Sequence, residues 1–240
     1  MQIIPEINLA MAFVPVIIVL IIMASWSLSL SDKLVALVRM LIQLILIGYA
    51  LTWIFALNSS VVVLLILTIM LLIASSIALR PLSRDESKRD YWRAFVAICL
   101  GGGFTLAFVV VVVLELSPWF QANTIIPLAG MIFASAMNTV SVAAERFSME
   151  LERGLQWVDA RNQAFSAGLI PIFNSLLAVG LVTLPGMMTG QILSGVSPLI
   201  AVRYQIVVMC MLTGASGISV AIFLILQARR VLNSGGATDG

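Results

Sequence analysis

Seven apolar runs dominate this chain, at residues 7–28, 34–56, 61–80, 94–114, 122–144, 165–185 and 199–226. Each is near the roughly 20 residues that a helix needs to cross a hydrocarbon core about 30 Å thick. Backbone amides in lipid must be satisfied within their own segment, and runs of this length without strict alternation do so as α-helices. The expected fold is therefore all-α, a polytopic membrane protein with seven transmembrane helices in one transmembrane domain over 1–233 and a flexible tail at 234–240. Sixty-one per cent hydrophobic and 10% charged residues exclude an ordinary soluble domain, where about a quarter of residues are charged.

The chain has no His, and its two cysteines, Cys99 and Cys210, stand alone in apolar runs. Neither zinc spacing nor a disulfide framework is legible, and both read as small buried hydrophobes. No Lys or Arg precedes the first run, so it lacks the basic segment of a cleaved signal and reads as a retained span.

Loop charge gives an orientation. Lys33, Arg39, Arg80, Arg84, Lys88, Arg89, Arg93, Arg146, Arg153, Arg161, Arg229 and Arg230 fall in or beside the loops after runs 1, 3, 5 and 7, which is 12 of 13 basic residues. Only Arg203 falls on the other side. The positive-inside rule then puts the N-terminus outside and the C-terminus in the cytoplasm. The five tryptophans agree, Trp26, Trp92 and Trp157 lying near inner boundaries and Trp53 and Trp119 near outer ones. The basic residues are dispersed rather than gathered on one face, so no nucleic-acid partner is expected.

The stretch GLVTLPGMMTGQILSGVSPLIAVRYQI at 180–206 is membrane-grade sequence punctuated like a loop. It reads as helix, break, helix, with the turn at the outer face between the sixth and seventh spans. Backbone broken within lipid must be covered by protein or line a cavity, which makes Pro185, Gly186, Met187, Met188, Gly190, Arg203 and Gln205 gate or pathway candidates. Gly186 and Gly190 also form a GxxxG pair that permits close helix approach.

Other polar residues within spans are weighed the same way. Arg39 either snorkels to the inner boundary or forms a polar strip with Gln43, one turn deeper on the same face. Asn138 and Asn174 fit either buried interhelical hydrogen bonds or pathway lining. Glu115, at the outer end of the fourth span, is either a solvated boundary charge or a cation-collecting carboxylate. Met131, Met187 and Met188 offer thioethers that suit Cu(I) better than harder ions, and without His or paired Cys packing is the stronger reading. No metal site is assigned.

No P-loop, H-E-x-x-H or G-x-S-x-G pattern occurs, so the chain is not read as an enzyme, and energy must come from a gradient or a partner. The stretch ERFSMELERGLQWVDAR, residues 145–161, is the longest polar segment between spans. It reads either as a short interfacial helix or as a docking element for a cytoplasmic motor, with Glu145, Arg146, Glu150, Glu152, Arg153, Trp157, Asp159 and Arg161 as coupling candidates.

Arg39-Met-Leu-Ile-Gln43 running on to Gly48-Tyr49, Pro127-Leu-Ala-Gly-Met131 followed by Asn138, the block VGLVTLPGMMTGQILSG, and Ala201-Val-Arg-Tyr-Gln205-Ile together resemble the FetB/YbbM family of ABC transporter permeases. The resemblance covers most of residues 30–226. It implies a permease subunit of an iron or other metal exporter in the bacterial inner membrane, with plant relatives linked to aluminium tolerance. It also implies a permease homodimer and a separate ABC ATPase, which would carry the ATP and Mg while this chain binds no cofactor. Against the family pattern, 145–161 is shorter and leads almost directly into Ala164. A gradient-driven carrier or channel for a metal or small organic solute is the alternative.

Overall fold

The computed structural model describes residues 5–57 and 59–235. Among the described residues the regular secondary structure is helical, apart from one isolated bridge between Val179 and Thr183. The chain divides into two compact units, 1–57 and 58–240.

In the first unit, α1 (Glu6–Met11) is followed after Ala12 and Phe13 by α2 (Val14–Ser25), with Pro15 in the opening turn. Proline is tolerated there because the amide it lacks has no helical partner in that turn. After Ser27, at φ 57°, α3 (Ser31–Leu57) begins with Asp32 in its first turn. Both long helices are predominantly apolar, and the described residues of their spans are 0% buried, as expected where lipid is the solvent.

The second unit is a helical bundle of α4 (Ser60–Ala78), α5 (Arg84–Phe108), α6 (Ala122–Glu152), α7 (Trp157–Ala178) and α9 (Pro198–Gly235), with the short α8 (Gly186–Leu193) between the last two. Its core lies between α5, α6 and α9, where Ala97, Ile98, Ile132, Ala136, Val140, Ala215, Val220 and Phe223 are fully buried. Small residues let these helices approach closely, which matters where lipid gives little hydrophobic drive for association. A Cβ added at Gly101 of α5 would stand 2.6 Å from the Ser219 nitrogen of α9. The close approach expected of the Gly186 and Gly190 pair is absent within the chain: an added Cβ at either meets nothing within 4 Å. Cys210 is exposed on the chain surface rather than buried.

Among the described residues, six helical segments are long and apolar enough to cross a membrane: Glu6–Ser25, Ser31–Phe55, Ser60–Ala78, Lys88–Val113, Ala122–Glu152 and Pro198–Gln227. The sixth predicted segment, at 165–185, is not among them. Its helix, α7, starts at Trp157 and stops at Ala178, because Val179 is extended and Gly180 takes φ +84°, a left-handed conformation that favours glycine. The first turns of α7 carry Asp159, Arg161, Asn162 and Gln163, and the uncharged remainder spans only about 25 Å at 1.5 Å per residue. Within the bundle α7 packs on α6 and α9.

The fourth span begins earlier than its apolar run because Ser83 and Glu86 form a reciprocal capping box that starts α5 at Arg84. It ends in a π-helical turn, Val109–Val113, followed by Glu115 at φ +47°. Of the expected tail at 234–240, Ser234 and Gly235 continue α9, and 236–240 lie outside the described residues.

Candidate functional site

A groove of about 500 Å³ opens between α6, α7, α9 and the break at 179–187. Six of the predicted pathway residues converge on it: Met131 and Asn138 from α6, Pro185, Gly186 and Met187 at the start of α8, and Gln205 of α9. The break is built locally. The amide of Gly180 donates to the Thr183 carbonyl at 2.9 Å, closing a tight turn after α7, and Pro185 then caps α8. The turn carries Thr183 and Met187 back against α6 and α9, a juxtaposition that chain order alone does not reveal.

The polar lining is neutral, combining hydroxyl oxygens with the side-chain amides of Asn138 and Gln205. Thr139 Oγ1 donates to the Ser135 carbonyl at 2.7 Å, and Ser175 Oγ donates to the Pro171 carbonyl at 2.9 Å. Ser135 Oγ and Ser216 Oγ share a hydrogen bond of 2.8 Å. A hydroxyl has one proton and two lone pairs, so once the proton is committed its oxygen remains an acceptor. Gln205 is only 6% exposed, and its Oε1 has no donor among the described residues. Met131, Met187 and Met209 add thioether sulfurs, which are weak acceptors. Among the described residues no three His, Cys, Asp or Glu side chains gather to hold a metal ion.

A second cavity, about 340 Å³ between α4, α5 and α6, differs in kind. Its lining is apolar apart from Cys99 and Thr68, whose hydroxyl is bonded to the Leu64 carbonyl at 2.8 Å. It offers no set of convergent polar groups of the sort that orients a ligand.

The remaining pathway candidates lie elsewhere. Asn174 is exposed on α7 and does not line the groove; Asn138 does, also exposed, so neither is buried between helices. Met188 and Gly190 sit on α8 outside the lining, and Arg203 is exposed two residues before Gln205. Glu115 is exposed in the loop after the π-turn. Arg39 and Gln43 share one exposed face of α3 in the first unit.

The 145–161 stretch is not a separate short helix. The last turns of α6 run to Glu152, Gly154 at φ +82° makes the turn, and α7 begins at Trp157. Glu150 is buried at 3% exposure and takes Arg146 Nη2 at 2.6 Å and Arg153 Nη1 at 3.2 Å. Arg146 also donates to Gln163 Oε1 at 3.1 Å, tying α6 to α7. The Arg161 guanidinium lies 4.9 Å from the Trp157 ring centroid, while Glu145, Glu152, Arg153 and Asp159 are exposed.

Two polar links at the same end of the bundle were not anticipated. Ser148 Oγ of α6 donates to Glu86 Oε1 of α5 at 3.1 Å. Arg93 of α5 bonds the buried Asp90 and donates to the buried Gln227 of α9 at 3.2 Å. The capping box holds Glu86 below the ordinary carboxylate value, first through the Ser83 hydroxyl, then through Ser148 and the Ser83 amide, with Arg89 adding a favourable charge; burial acts the other way. The S-x-x-E signature at 83–86 was available in the sequence for this cap. Nothing short-range marks Gln227.

Comparison with known proteins fits this architecture. The chain is 35% identical over 186 residues to the UPF0014 membrane protein slr1647 of Synechocystis, covering 71% of each protein. It is 32% identical over 244 residues to the probable iron export permease protein FetB of Escherichia coli, covering 95% of this chain and 92% of that one. It is 30% identical over 226 residues to the protein ALUMINUM SENSITIVE 3 of Arabidopsis thaliana, covering 88% and 81%. No solved structure matches significantly. The model of the uncharacterised protein family UPF0014 matches residues 6–232, and the chain belongs to that family of multi-pass membrane proteins.

Proposed function

We propose that this chain is the permease subunit of an ABC-type exporter of iron or another metal cation, energised by a separate cytoplasmic ATPase that binds ATP and Mg. The observation that carries the reading is the groove at the 179–187 break, where Met131, Asn138, Met187 and Gln205 converge from separate elements of a membrane-embedded bundle. The name of the Escherichia coli relative, a probable iron export permease, supports the cargo.

In this reading the chain crosses the membrane seven times, N-out and C-in, with α7 completing the count as a short polar-ended span. The α6–α7 turn faces the cytoplasm and docks on the ATPase, and a second copy of the permease completes the transporter. Buried Glu150, clamped by Arg146 and Arg153, stiffens that turn so that a push on exposed Glu152 or Asp159 moves α6 and α7 as a unit. Those helices form two walls of the groove, so the motion changes its access.

The test is the metal content of cells with and without the gene, measured across several metals. Raised iron and iron sensitivity without the gene are expected. Unchanged iron with accumulation of another solute would remove iron as cargo. A gradient-driven carrier instead predicts transport by the purified chain alone, without nucleotide.

A further inference from the structure

Resting on the export reading, we infer that the groove takes its metal ion still wearing its water shell, recognised through outer-sphere hydrogen bonds to Gln205 and the neighbouring hydroxyl oxygens rather than through direct metal–protein bonds. Three observations lead there. The first is charge. Dehydrating a multivalent cation is very costly, and hard cations regain that cost chiefly from carboxylates and other oxygen ligands held at bonding distance. The lining contains no carboxylate, no imidazole and no thiol.

The second is polarity. A hydrated cation points its water hydrogens outward and is therefore a donor on every side. The groove is complementary, since Thr139 and Ser175 have spent their protons on backbone carbonyls and keep lone pairs free. Gln205 Oε1 is a buried acceptor with no donor among the described residues. Such an orphan is destabilising unless something supplies the proton. A chelate coated in carboxylate oxygens would meet donors only at the Asn138 and Gln205 amide nitrogens and the Thr183 hydroxyl.

The third is size. Six waters at about 30 Å³ each fit within the cavity of about 500 Å³, whereas a bare ion would rattle in it. The rival is inner-sphere capture of a dehydrated ion by Met131, Met187 and Met209.

Hexaamminecobalt(III) separates the two, because its ligands do not exchange and it imitates a hydrated ion without ever binding through the metal. Everted membrane vesicles containing the full chain and its partners are loaded with iron or manganese in its presence. It should compete with metal uptake for the unmodified chain. Gln205→Leu should lower metal uptake by about tenfold, the equivalent of about 1.4 kcal/mol, and should relieve the competition. Met131→Leu, Met187→Leu and Met209→Leu together should leave the competition by hexaamminecobalt(III) in place, since they remove none of the acceptor oxygens.

Uptake indifferent to hexaamminecobalt(III) and to Q205L, but lost in the methionine variant, would overturn the inference in favour of inner-sphere capture. Competition that persists unchanged in Q205L would overturn the assignment to this groove. Should Q205L fail to reach the membrane, Gln205→Glu replaces it; the added acceptor charge should tighten hexaamminecobalt(III) inhibition by at least about tenfold, and unchanged inhibition would count against the site. Vesicles of the unmodified chain that move no metal under any condition would instead refute the export reading itself.

Discussion

Gly101 and Ser219 mark the tightest helix contact described: a Cβ built on Gly101 would lie 2.4 Å from Ser219 Oγ and 2.8 Å from its Cα. Backbone cannot rotate out of the way as a side-chain tip can. Alanine at Gly101 should therefore cost about 1–3 kcal/mol through overpacking, despite the gain of up to about 1 kcal/mol that Gly→Ala brings in an open helix interior. Gly103→Ala is the control, since nothing lies within 4 Å of its Cβ position. Thermal unfolding of the purified chain in detergent should fall for G101A and hold or rise for G103A.

Glu150 predicts a second stability effect. Its carboxylate is buried, while the Arg146 and Arg153 side chains that bind it remain 39% and 57% exposed. Breaking a fully buried pair costs about 3–5 kcal/mol; exposed arginines are hydrated after the loss, so Glu150→Gln should cost nearer 1–2 kcal/mol. The same midpoint measurement checks this. Reversing the exposed charges at Glu152 and Asp159 should leave the midpoint unchanged and abolish permease-stimulated ATP hydrolysis in the assembled complex.

Acid should loosen the α5–α6 contact through Glu86. Its folded pKa is lowered from 4.5, chiefly by the Ser83 hydroxyl, so the carboxylate contributes stability above the unfolded value. That contribution is lost as pH falls through the lower folded value. Midpoints measured downward from about pH 6 should converge for the unmodified chain and Glu86→Gln at the acid end and separate above it. Parallel curves would contradict the assignment.

Much of this architecture is legible in the sequence. The helical runs announce themselves by length, and the break after Ala178 is signalled by Gly180, Pro185, Gly195 and Pro198. The convergence of Met131, Asn138, Met187 and Gln205 is not fixed by periodicity, because it depends on the 179–187 turn folding back onto two other helices. Misreadings have physical causes. The charges of 145–161 suggested a separate surface helix, yet α6 runs on to Glu152 because Phe147 and Glu150 are buried against the bundle. A charged residue is ordinarily exposed unless paired, and the pairing of Glu150 emerges only with the fold. Arg93 and Gln227 meet across 134 positions, and no local pattern brings them together.

The path of α7 is directly testable. Single cysteines placed at Gly154 and Gly195, in a chain with Cys99 and Cys210 replaced, flank this helix and the break. Seven crossings place the two positions on opposite faces, so an impermeant thiol reagent added outside intact cells should label position 195 and spare 154. Labelling of both or neither from outside would mean that α7 does not cross.

The most direct test of the account as a whole is iron uptake by everted membrane vesicles that contain this chain, with ATP and with a non-hydrolysable analogue. Uptake that requires ATP hydrolysis and disappears in vesicles lacking the chain is the predicted result. Uptake that proceeds equally without nucleotide, or that persists when the chain is absent, would contradict an ABC-type export permease.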